Sequence, residues 1–468
     1  MALPETDTLS DALDYADRWL GFRQRFLRTP GIQVAVLVDD TIRLSSAHGL
    51  ADVERGIALT PSHLFRIASH SKTFTATAVL QLVERGKLRL DDTLGELLPR
   101  LSGTAVADRT VRGLLAHSAG IIRDGFDADH WALVRRFPDT DQLFALAAQP
   151  GAAVLGADER FKYSNIAYSL VGAVIEQASG RPYNDYVRTE IVDRLGLADT
   201  GPEYDPARAG DYATGYTALA YLPRRIPIEH VDTGAMSAAT GFYGTARDIV
   251  RYAAAHFRGD ERLLSDGSKR LVQHEQWKVE GAGHYGLGFV LDDIGDRHLV
   301  GHSGGYPGHI TKTVFDPVDR VAVSVFTNGA DGPAAELATG VVRLIDLAGR
   351  PAPANLPTPP AGVDPHRFAG RFAALMGVVD IVVLGARVFL VDPTAADPGQ
   401  SPSELGVLDA ETLVIAETGG YGSPAEKVHF AFDGAGAATS VNLAGETCVP
   451  LAVYAQQLDS CEVVRAPV

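Results

Sequence analysis

The alternation of hydrophobic and polar positions changes rhythm several times along the chain. Asp11–Leu27 repeats apolar residues at helical spacing and predicts an amphipathic helix. Gly31–Val38 is a nearly continuous apolar run, Asp39-Asp40 a turn, and Thr41–His48 a second strand. Together they predict a hairpin whose first strand is covered on both faces. Leu64–Arg85 switches to a helical period: Phe74, Ala78 and Leu82 fall at four-residue steps with Val79 and Val83 beside them, giving one apolar stripe. Helical patterns then dominate to about residue 199, at Asp141–Ala148, Asn165–Ser179 and Asn184–Leu195, with Gly180 and Gly196 at C-cap positions. Thr245 and Asp248 have the spacing of a capping box before a helix Ile249–Phe257. Strand patterns return at Gly286–Asp292, His298–Gly301, Thr311–Phe315 and Val321–Thr327, and Pro333–Leu347 reads as a closing helix. Strands on either side of a helical middle predict an α+β fold: one antiparallel sheet flanked by helices, plus an all-helical subdomain.

Gly349–Pro365 is proline-rich and suits neither a helix nor a sheet interior. Beyond it, short alternating runs (Val378–Leu384, Arg387–Val391, Leu413–Ala416, Val428–Phe432, Ser440–Leu443) separated by Gly and Asp turns predict a small all-β barrel or sandwich. The boundaries that follow are a first domain over 1–348, a linker over 349–363 and a β domain over 364–468.

Composition narrows the class of protein. The 468 residues are 46% hydrophobic and 21% charged, which suits a folded soluble chain with a large core. A net charge of −16 argues against a nucleic-acid partner and against an anionic membrane surface. No stretch approaches the apolar length of a transmembrane helix, and the N-terminus shows no signal-peptide pattern, so the expected location is cytoplasmic. Cys448 and Cys461 are read as two free thiols. The histidines form no metal-binding spacing, and neither a metal nor a cofactor is expected.

Candidate chemistry starts with Ser69 and Lys72, arranged S-x-x-K. Three residues is close to one helical turn, so both side chains share a face, and an amine there can take the proton of a hydroxyl nucleophile. The helix is expected to begin at the serine. Tyr163 and Asn165 form a Y-x-N tripeptide on a loop before the Asn165–Ser179 helix, where a phenol can relay a proton and an amide can bind a carbonyl. Alone, that tripeptide also fits a core tyrosine and a capping asparagine. His302, Ser303, Gly304 and Gly305 follow a strand and place a polar side chain beside two glycines that let a ligand approach the backbone. Gly301–Gly305 also matches G-x-S-x-G, the nucleophile elbow of α/β-hydrolases, but no helix follows Ser303 and no histidine follows before His366, so Ser303 is not taken as the nucleophile.

S-x-x-K at 69–72, Y-x-N at 163–165 and H-x-G at 302–304, in that order, resemble the serine β-lactamase and penicillin-binding-protein superfamily, in its class C-like branch of D-aminopeptidases, DD-peptidases and esterases. LLAHSAG (114–120) is similar to that branch's LLTHTSG, and GFYGTARDIVRY (241–252) to its glycine-rich segment. The resemblance spans roughly 12–347. The C-terminal domain resembles the lipocalin-like appendage of some relatives, with DPHRFAGRF as its opening strand. The resemblance implies an acyl-enzyme on Ser69, with Lys72 as base and Tyr163 passing the proton to the leaving group. His302 would orient Tyr163 or touch substrate. Asn165 would bind the acyl amide, with Ser303, Gly304 and Gly305 lining the substrate and oxyanion side. His302 stands where penicillin-binding proteins have the lysine of K-T-G, which argues against β-lactamase activity. The expected partner is a small ester, amide or peptide. The competing functions are a transpeptidase or peptide-cyclising thioesterase with an amine acceptor, and a non-catalytic sensor of the same fold; oligomeric state is left open.

Overall fold

A computed structural model describes residues 3–353, 356–419, 422–462 and 464; linker positions 354 and 355 lie outside the described residues. The chain groups into two compact units, one of residues 27–338 and one of residues 1–26 with 339–468. The sequence-based boundary at 348 puts the first helix and the 339–348 segment with the larger domain, whereas their contacts group them with the barrel.

The larger unit is built on a nine-stranded antiparallel sheet. Its order is Ile57–Ala58, Thr41–Asp52, Gly31–Val38, Val321–Thr327, His309–Asp316, Arg297–Tyr306, Val290–Ile294, His284–Tyr285, Trp277–Lys278. The two strands that read as unbroken apolar runs, Gly31–Val38 and Val321–Thr327, are buried at every position and pair with each other in the sheet centre, Val34 opposite Val325. The hairpin between Gly31–Val38 and Thr41–Asp52 turns on Asp39 and Asp40, both at positive φ (47° and 63°), a conformation short polar side chains tolerate. The helix Ala246–Ala254 packs on the central strands. It starts three residues earlier than its hydrophobic pattern suggests. Thr245 caps it by accepting from the Asp248 N–H, but the Asp248 carboxylate accepts from the Asp199 N–H instead of completing a capping box.

The helix carrying Lys72, Ser71–Glu84, is the largest departure from the sequence reading. It has no single apolar stripe: every residue from Ser71 to Leu82 is buried. Its threonines look polar, yet each bonds back within the helix. Thr73 Oγ1 donates to His70 O, Thr75 Oγ1 to Ser71 O and Thr77 Oγ1 to Thr73 O, at 2.8, 3.0 and 2.8 Å. Satisfied in this way, they can face a dry interior. Phe74 stacks between Phe242 and Tyr252, ring centroids 4.2 and 3.8 Å away. The helix Asn165–Ser179 packs against it, ending as expected at Gly180 in the left-handed conformation (φ 72°).

The second unit contains a closed, eight-stranded antiparallel barrel in which consecutive strands pair and Gly370–Ala374 closes onto Glu446–Pro450. Phe368, Phe372, Ile381, Leu413, Val428 and Phe430 are among the side chains that fill its interior. Two of its strands, Ser403–Val407 and Glu446–Pro450, were not among the predicted runs. The first helix, Thr6–Phe26, anchors in this unit: Tyr15 donates to Asp380 at 2.9 Å, and the fully buried Trp19 donates to Pro393 O at 3.2 Å and packs over Gly340. Cys448 is buried and Cys461 exposed, both as free thiols.

Candidate active site

Ser69 does not open the α-helix. It sits in a short 3-10 turn, Ala68–His70, immediately before it. Ala68 enters that turn at φ 46°, a left-handed conformation that a non-glycine residue adopts only when its surroundings impose it. The strand Arg297–Tyr306 packs directly on this turn. A Cβ on Gly304 would lie 2.1 Å from the Ile67 carbonyl oxygen, so only glycine lets the strand press this close to the nucleophile turn. Gly304 therefore shapes the turn, while its neighbours Ser303 and Gly305 face the cavity.

That cavity, about 500 Å³, is lined by Ser69, Tyr163, Asn165, His302, Ser303 and Gly305 on its polar side, and by Trp131, Phe161, Val279, Ala282, Tyr285 and Val290 elsewhere. Arg123, Asp124 and His284 complete the wall. Of the aromatic residues on loops that sequence alone does not place, Trp131 lines the cavity. Tyr216 is instead buried with its hydroxyl donating to Glu54, and Tyr221 is 76% exposed.

Two groups converge on the Ser69 hydroxyl. The Tyr163 phenol donates to Ser69 Oγ at 2.8 Å, and Lys72 Nζ lies 3.2 Å from it. Lys72 is fully buried, its Nζ also 2.7 Å from Asn165 Oδ1 and 2.9 Å from Ala239 O. Burial pushes its pKa well below the usual lysine value; the Asp124 carboxylate opposes that shift and Arg123 adds to it. Burial raises the Tyr163 pKa, so its phenol stays protonated at neutral pH, the hydrogen bond to Ser69 offsetting part of the shift.

The Tyr163–Asn165 segment is pinned on both sides. The helix cap is Ser164, not Asn165: Ser164 Oγ accepts from the Ala167 N–H at 2.9 Å and donates to Ile122 O at 2.7 Å. Its own N–H donates to His117 Nδ1 at 3.1 Å, and the His117 ring lies against Tyr163 with centroids 4.1 Å apart. Asn165 is freed from capping and bridges Lys72 to Asp124, its Nδ2 donating to Asp124 Oδ1 at 2.6 Å. Asp124 also accepts from Trp131 Nε1 at 3.0 Å and Arg123 Nε at 3.1 Å.

His302 lines the cavity. Its Nε2 is 3.3 Å from the Tyr285 hydroxyl, and its Nδ1 is 2.6 Å from the Ser303 carbonyl. Burial is the main cause that pushes its pKa well below that of free histidine, so it is neutral. His117, Asp124, Arg123 and Tyr285 went unread as site residues. The LLAHSAG resemblance includes His117, and Asp124 opens a loop, 124–131, whose side chains can shape the acyl pocket.

A family model described as Beta-lactamase matches residues 22–347, and the chain belongs to the beta-lactamase family of serine hydrolases. Among curated relatives, it is 29% identical to penicillin-binding protein 4 of Amycolatopsis lactamdurans over 385 residues, covering 75% of this chain and 96% of that protein. It is 30% identical to esterase EstB of Burkholderia gladioli over 344 residues, 61% of this chain and 84% of EstB. The crystal structure of SurE aligns with a TM-score of 0.62 at 27% identity over 94% of this chain and 99% of SurE, and SurE has also been crystallised with D-Leu. Among the described residues no helix is long and apolar enough to cross a membrane.

Proposed function

We propose that this protein hydrolyses ester or amide bonds of small molecules or short peptides, D-residue peptides included, through an acyl-enzyme on Ser69. The observation that carries this is the hydrogen-bond inventory around Lys72. A neutral amine has two N–H groups and one lone pair. The Asn165 and Ala239 oxygens can only accept, and they take the two N–H groups. In the neutral amine that burial favours, the lone pair is left for Ser69 Oγ, 3.2 Å away, whose proton it can receive. Ser69 Oγ then attacks the carbonyl carbon, and the Ser69 and Gly305 N–H groups hold the oxyanion. The C–O or C–N bond breaks as the Tyr163 proton passes to the leaving group, and Lys72 restores the proton to Tyr163. Water releases the acid from Ser69 by the reverse sequence. A neutral His302 gives weak hold on a substrate carboxylate, so β-lactams and carboxylate-terminated peptides are poor substrates.

EstB, an esterase, and the D-Leu complex of SurE support the ester and D-residue parts of this reading. A panel of p-nitrophenyl esters, D- and L-amino acid amides and nitrocefin tests it. Turnover of esters or D-amides that disappears in Ser69→Ala is expected; nitrocefin as the preferred substrate, or activity surviving in Ser69→Ala, refutes it.

A further inference from the structure

The contacts that begin at the nucleophile do not stop at Asn165. They run from Ser69 through Lys72 and Asn165 to Asp124. We propose that Asp124 is a positioning residue whose carboxylate fixes which end of the Asn165 amide faces Lys72, and so aims the Lys72 lone pair at Ser69. The inference rests on the acyl-enzyme reading above.

A primary amide has nearly the same shape either way round, but one end donates and the other accepts. A carboxylate only accepts. With Asp124 Oδ1 2.6 Å from one end of the Asn165 side chain, that end must be Nδ2, and Oδ1 is turned to Lys72 at 2.7 Å. In the reverse orientation an N–H would meet Lys72 Nζ and occupy the lone pair, leaving no base for Ser69. Among the described residues no other group bonds to the Asn165 side-chain amide, and the Ala239 carbonyl touches the amine and not the amide.

Asp124 is itself held for the task. Trp131 Nε1 donates to the same Oδ1, and Arg123 Nε to Oδ2, while the Arg123 guanidinium lies over the Tyr163 ring, 4.9 Å from its centroid. The Asp124 side chain is 14% exposed against 62% for Arg123, so its oxygens serve these three donors more than solvent or ligand. The residue therefore acts on the nucleophile through Asn165.

Steady-state kinetics on one p-nitrophenyl ester, with active sites counted by a fluorophosphonate, tests the proposal. The proteins are wild type, Asp124→Ala, Asp124→Asn, Asn165→Ala and the double variant Asp124→Ala/Asn165→Ala. Asp124→Ala is expected to lower kcat about tenfold, the scale of one or two lost orienting hydrogen bonds, with a smaller change in KM. Asp124→Asn recovers most of that loss, because a carbonyl at the Oδ1 position still accepts from Asn165 and Trp131. On the Asn165→Ala background, Asp124→Ala costs nothing further. The proposal is overturned if Asp124→Ala has wild-type kcat, if Asp124→Asn is as slow as Asp124→Ala, or if the two single losses add in the double variant. Should the alanine variant not fold, Asp124→Leu fills the same space without an acceptor and is judged by the same outcomes. Failure of the underlying reading looks different: the fluorophosphonate leaves wild-type Ser69 unlabelled, or Ser69→Ala turns over the ester.

Discussion

Lys72→Met separates the charge state of this lysine from everything else in the site. Methionine has a similar length and no ionisable group, so it fills the buried channel without the amine. In the unfolded chain the Lys72 pKa is about 10.4. In the folded protein burial holds it well below that value. Between the two values the unfolded chain binds one proton more than the native state. Native stability from this group therefore rises with pH, by at most about 1.4 kcal/mol per pH unit, and is lost as pH falls toward the folded pKa. The variant lacks this contribution. If Lys72 is neutral at pH 7, wild type gains up to about 2.7 kcal/mol over the variant between pH 7 and pH 9. A constant offset is also expected, because methionine leaves the Asn165 Oδ1 and Ala239 oxygens without a donor, at about 1–3 kcal/mol each. That offset does not vary with pH, and every other titrating group is shared and cancels in the difference. The assay is guanidinium unfolding of both proteins at pH 7, 8 and 9, followed by tryptophan fluorescence. A stability difference that is the same at all three pH values would mean that Lys72 is charged in the native state and cannot serve as the base.

Tyr163→Phe should lower kcat for esters by at least about 10²-fold with the fold intact, as read by kinetics and thermal melting together; wild-type kcat would remove Tyr163 from the proton path. Gly304→Ala should disrupt the site, because its Cβ would fall 2.1 Å from Ile67 O, whereas Gly305→Ala should fold normally, its nearest new contact being Ile310 Cδ1 at 3.8 Å. Melting temperatures and fluorophosphonate labelling of the two variants check this, and equal behaviour would contradict it. His70 is buried between Ile67 O and Thr313 Oγ1, and burial lowers its pKa to about 3. The unfolded chain binds a proton there from about pH 6.5 downward while the native state stays neutral, so stability falls with pH, by about 2 kcal/mol at pH 5. His70→Gln should remove this share of the acid slope between pH 7.5 and pH 5 and leave the share of the other buried histidines, and an unchanged slope would contradict the assignment.

The parts of the site legible in the sequence are those with a fixed spacing. Ser69 and Lys72 lie one turn apart, and Tyr163 and Asn165 flank a capping serine, so local geometry alone brings each pair together. The sheet was legible where burial is complete, since Gly31–Val38 and Val321–Thr327 show it as unbroken apolar runs. The strand Arg297–Tyr306 was cut short in the reading because His302-Ser303-Gly304-Gly305 does not alternate like a strand. Its glycines answer to the Ile67 backbone and the cavity, which leave no local pattern. The Ser71–Glu84 helix reads as carrying a single apolar stripe because buried threonines that bond back to the preceding turn look polar in a one-dimensional pattern. Arg123, Asp124 and Tyr285 were out of reach for a different reason: they come to the site from a loop and a two-residue strand that only the tertiary fold positions.

The whole mechanism turns on which oxygen becomes acylated. Intact protein treated with a fluorophosphonate, digested and sequenced by mass spectrometry, should carry the adduct on Ser69, and Ser69→Ala should take up none. An adduct on Ser303, or undiminished ester turnover by Ser69→Ala, would contradict it.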